Sequence, residues 1–156
     1  MSFINCKESG NRVRRIGFNM KYGYMVIATL VVLAGCNGKQ NSIVTAHNKM
    51  VAAEKNYVTE YAAALENSDF AGCHAATNEY LEAVQNINMN GCPDDYQQAM
   101  NGLANSLSEI SGYFSGANNI ENVDQETLKA LQDARLDATM KLNDVANGHG
   151  LIIIND

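Results

Sequence analysis

Three histidines, four cysteines and seventeen carboxylates are the groups through which this 156-residue chain could ligate a metal, attack a substrate or move a proton. Their spacing argues against each use. His47, His74 and His149 share no i to i+4 spacing and no Glu-x-x-His pair occurs, so the ligand set of a zinc or di-iron site on facing helices cannot be assembled. Cys73-His74 has Phe70 where c-type haem attachment needs its first cysteine, and a b-type axial pair would have to join Met50, well inside one helix, to His149 beyond another. No Gly-x-Ser-x-Gly elbow, Ser-x-x-Lys pair or phosphate-cradling glycine loop is present. Asp94-Asp95 directly follows Pro93, where paired carboxylates complement the positive end of a helix. Tyr57, Tyr61, Tyr80, Tyr96 and Tyr113 recur at helical spacing, which reads as core with the hydroxyls at its rim rather than as a ligand-stacking box. The expectation is a protein that is not an enzyme and holds no metal or cofactor. The alternative is a small-ligand or cofactor carrier that uses a helical interior lined by His47 and the tyrosines.

The elements that would position these groups are helices. From about Ser42 to Asn67, Val44, Val51, Val58 and Leu65 recur at sevenfold spacing, with Met50, Tyr57 and Tyr61 widening the same face. Ser68 and Asp69 are both good N-caps for a second helix carrying Phe70, Cys73, Thr77, Tyr80, Leu81, Val84 and Ile87, which Asn-rich sequence at 86–91 stops. Pro93 opens a third, in which Tyr96, Met100, Leu103, Leu107, Ile110 and Phe114 alternate by fours and threes as a packed seam does. Asp124 caps a fourth, with Leu128, Leu131, Ala138, Leu142 and Val145 facing inward until Gly148. Similar lengths and short connections predict an all-α, up-down-up-down antiparallel four-helix bundle over residues 42–148. Leu151 to Ile154, in the apolar tail 149–156, is β-prone; it either docks on the bundle, the favoured reading, or stays exposed. Glu54 lies between Val51 and Val58, and Arg135 between Leu131 and Leu142, so antiparallel packing brings both to one layer. A buried ion pair there, preferably bidentate, competes with both side chains reaching out to the bundle edge.

Ahead of the bundle, Lys21, the apolar run Met25 to Leu33 and small residues before a cysteine form a secretory signal too short to span a bilayer. Leu33-Ala34-Gly35-Cys36 resembles the lipobox of bacterial lipoproteins. The resemblance implies diacylglycerol on the Cys36 sulfur, cleavage between Gly35 and Cys36, and acylation of the new amino terminus. It also implies a chain that lies on the membrane without crossing it. Asn37, where inner-membrane members carry Asp, favours an outer-membrane anchor facing the periplasm. The reading divides the chain into a basic upstream extension (1–19), a signal peptide (20–35), a polar tether (36–41), the bundle and its tail.

Cleavage would change the charge balance. Residues 36–156 hold six bases against sixteen acids, a net charge of −10, which repels phosphate backbones and anionic headgroups. Nucleic acid is therefore not an expected partner. The expected partners are the membrane, through the Cys36 lipid, and another protein of the cell envelope. With Cys36 acylated and the chain exported to an oxidising compartment, Cys73 and Cys92 are expected to form a disulfide, provided the second helix ends near 84–86 and the following segment folds back.

Overall fold

The computed structural model describes residues 30–32, 38–116 and 123–154. Four helices, α1 (Gly38–Glu66), α2 (Phe70–Gln85), α3 (Asp94–Gly116) and α4 (Gln125–Gly148), form the expected up-down-up-down bundle, with each helix packed on the next in sequence. Local chemistry sets the ends. Ser68 adopts a left-handed φ of 55° to close α1, and the Ser68 and Asp69 amides bond back to the Leu65 and Ala64 carbonyls at 3.0 and 2.8 Å. Asp69 alone is then the N-cap of α2, its carboxylate accepting from the Gly72 amide at 2.8 Å. Gly91, at a φ of 82°, turns the chain before Pro93, and Asp124 caps α4 by accepting from the Glu126 and Thr127 amides.

Two features depart from the sequence reading. Helix α1 begins at Gly38, so most of the polar stretch 36–41 is helical rather than an extended tether. Nothing there breaks a helix, and an established helix extends backward for little cost. The line of α1 that enters the core also differs. It runs through Ile43, His47, Met50, Glu54, Tyr57, Tyr61 and Ala64, all buried, whereas Val44, Val51 and Val58 flank it half-buried. The core of α3 is as expected, with Tyr96, Met100, Leu103, Leu107, Ile110 and Phe114 all buried.

A two-stranded antiparallel ribbon accompanies the helices: β1 (Leu30–Val32) pairs with β2 (Ile152–Ile154), Leu30 opposite Ile154. The tail thus divides its roles. Leu151 docks, 2 % exposed, with its amide on the Ala146 carbonyl at 3.1 Å, and the three isoleucines after it form the strand. Gly150, at a φ of 87°, makes the turn between helix and tail.

Candidate functional site

The bundle closes on itself where α4 meets α1, and there the two backbones stand further apart than in the three sequential pairs. Long polar side chains span the gap. Arg135 donates from Nη1 to Glu54 Oε1 at 3.0 Å, and Gln132 donates from Nε2 to the Tyr61 hydroxyl at 2.9 Å. The Glu54–Arg135 pair expected from the sequence is therefore present, but through one bond rather than two. Its Nε instead has no hydrogen-bond partner. The two side chains are 11 % and 12 % exposed, which places the pair in a poorly solvated layer. Burial pushes the Glu54 carboxyl up, and the charge and hydrogen bond of Arg135 pull it back. The guanidinium also lies over the Tyr57 ring, 5.3 Å from its centroid.

An aromatic stack backs this layer. Tyr57 stacks on Tyr80 at 5.1 Å and tilts against Tyr61 at 5.1 Å, while Phe114 joins Tyr61 to Phe70. The expectation that these rings are core holds. The hydroxyls, however, are not all at the rim: Tyr80 donates to Met50 Sδ at 3.4 Å inside the core. Tyr57 lies beside Gln132 and Thr77, and its hydroxyl makes no hydrogen bond of normal geometry.

Further along the same seam, His47 is fully buried, with Nδ1 3.2 Å from the Tyr96 hydroxyl. Burial lowers its pKa to about 4, so the ring is neutral near pH 7. Its Nε2 has no partner, and neither does Oδ1 of the buried Asn143 on α4. Sequence inspection placed His47 on the inner face but gave no signal for its link to Tyr96, 49 positions away.

The other candidates are scattered. Half-buried His74 meets Asn78 at 3.0 Å, and Asn78 accepts from Ser111 at 2.6 Å; the serine hydroxyl therefore faces a carboxamide and not a base that could activate it. His149 bonds Asp95 at 2.9 Å and fastens the end of α4 to the start of α3, holding the Asp95 carboxyl below the usual carboxylate range. Asp94 and Asp95 sit in the first turn of α3, as their spacing predicted. Among the described residues no group of three His, Cys, Asp or Glu could hold a metal ion, and no helix is long and apolar enough to cross a membrane.

The expected Cys73–Cys92 disulfide is not formed: both are buried free thiols. Cys73 lies in the first turn of α2 and Cys92 beyond its other end. Because α2 runs unbroken to Gln85, about 18 Å of helical rise separates Cys73 from the start of the loop. Cys36 and the lipobox-like stretch lie outside the described residues. Comparison with protein-family models, with curated proteins and with solved structures finds no match to this chain.

Proposed function

We propose that this chain is a membrane-anchored bacterial lipoprotein, held through lipid on Cys36, that acts as a non-enzymatic interaction module in the cell envelope. Its anchor would lie in the outer membrane, with the bundle in the periplasm. The observation that carries the reading is the distribution of charge. Of the fourteen carboxylates whose burial is described, thirteen are exposed and only Glu54 is buried, against five basic side chains in the same residues. Such a surface attracts a basic patch on a protein partner and acts mainly on the rate of encounter. The helical start at Gly38 shortens the reach from Cys36, so the partner must itself lie close to the bilayer. Cys36→Ala in the full chain tests both halves of the proposal. It should move the protein from the membrane to the soluble fraction and abolish envelope crosslinks that the parent forms. Membrane retention without Cys36, or undiminished crosslinking from a soluble form, would overturn it.

A further inference from the structure

Among the described residues, four buried side-chain polar atoms have no hydrogen-bond partner: His47 Nε2, Tyr57 Oη, Arg135 Nε and Asn143 Oδ1. All four belong to α1 or α4, the helices that border the wide closing seam. His47, Tyr57 and Asn143 are each more than nine-tenths buried. An unpaired buried polar group costs about 1–3 kcal/mol, so four on one seam require an explanation.

The Glu54–Arg135 and Gln132–Tyr61 bonds set the antiparallel register of that seam. From Glu54 back to His47, α1 travels about 10 Å, and from Arg135 on to Asn143, α4 travels about 12 Å in the same direction. His47 and Asn143 therefore share one level, and Tyr57 and Arg135 share another. Between the levels the helices carry Met50 and Val51 on one side and Thr139 and Leu142 on the other.

We infer that the α1–α4 seam is a binding slot for an elongated, uncharged molecule with a carbonyl at one end, a hydroxyl at the other and an apolar chain between. The donors and acceptors assign the ends. Arg135 Nε and the Tyr57 hydroxyl both offer protons, and one carbonyl oxygen accepts from both. With the Tyr96 hydroxyl donating to Nδ1, His47 carries its proton on Nε2 and is a donor, while Asn143 Oδ1 is an acceptor. A hydroxyl accepts from the first and donates to the second. The absence of a spare charge excludes an ion, because Glu54 already neutralises Arg135 and burial keeps His47 neutral. Entry requires only that α4 part from α1 where side chains, not close backbones, hold them together.

Calorimetric titration of the full chain with methyl 10-hydroxydecanoate tests the slot, because its ester carbonyl and terminal hydroxyl lie about one seam length apart. Saturable binding with one molecule per chain is expected, at least tenfold tighter than for methyl decanoate, which lacks the hydroxyl, or for the charged 10-hydroxydecanoic acid. Asn143→Leu removes an unpaired acceptor and so keeps the fold. It should bring the affinity for the hydroxy ester down to that of methyl decanoate and leave methyl decanoate unchanged. No saturable binding, equal affinity for the three probes, or binding indifferent to Asn143→Leu would each overturn the inference.

Discussion

Arg135 reaches Glu54 across the α1–α4 seam through a single 3.0 Å bond, in a layer where the two side chains are about nine-tenths buried. Removing either partner strands the other charge in poorly solvated surroundings. Glu54→Leu or Arg135→Leu alone should destabilise the bundle by roughly 3 kcal/mol, and the double replacement by much less. Urea unfolding of the four proteins of the cycle measures the coupling. Additive effects would show that the contact does not persist in solution.

His47 makes the bundle acid-sensitive in a defined direction. Its folded pKa, about 4, lies below the unfolded value of 6.5, so the unfolded chain binds the proton more tightly. Its contribution is complete above pH 6.5 and is lost as pH falls towards 4, amounting to about 2.5 kcal/mol by pH 4.5. Glu54, whose carboxyl is raised, acts in the opposite sense at the acid end of that window. Comparing unfolding free energies of the parent and His47→Phe from pH 7 to 4.5 isolates the histidine. The variant should lose markedly less stability on acidification.

Both described thiols should be free and slow to react. Burial, and secondarily the Asp69 charge, pushes Cys73 up to about 12, and burial also raises Cys92. Thiol titration of the native protein at pH 8 should therefore detect neither residue promptly. Unfolding without reductant should release both, and a shortfall of two thiols would mean that a disulfide forms after all.

Two glycines should respond oppositely to alanine. A Cβ on Gly72 would lie 2.6 Å from the Asp69 carboxylate and 2.9 Å from Ala64 Cβ, so it displaces the cap of α2 and presses on α1. Gly72→Ala should destabilise by about 1 kcal/mol or more despite its better helix propensity. Nothing lies within 4 Å of the equivalent position on Gly102, in the exposed face of α3. Gly102→Ala should stabilise by roughly 0.5–1 kcal/mol. Thermal unfolding of the two variants checks both signs.

Periodicity and punctuation determined much of this protein without any three-dimensional information. The apolar face of α3, the caps at Asp69 and Asp124, and the antiparallel order of the four helices follow from side-chain spacing and local backbone bonding. The level of Glu54 with Arg135 also followed, because antiparallel helices of known span fix which residues lie at one height. Tertiary structure decided how α1 is rotated: the valines at 44, 51 and 58 alone suggested one face, yet the core took the adjacent line that includes His47 and Glu54. Burying those two polar residues depends on Tyr96 and Arg135, which reach them from other helices and leave no trace in the local pattern. The free state of Cys73 and Cys92 was likewise settled by where α2 ends, since two extra helical turns separate thiols that sequence distance alone would allow to meet. The wide closing seam is the least legible feature of all. It depends on the sum of every side-chain volume between α1 and α4, a quantity that no single stretch of the chain contains.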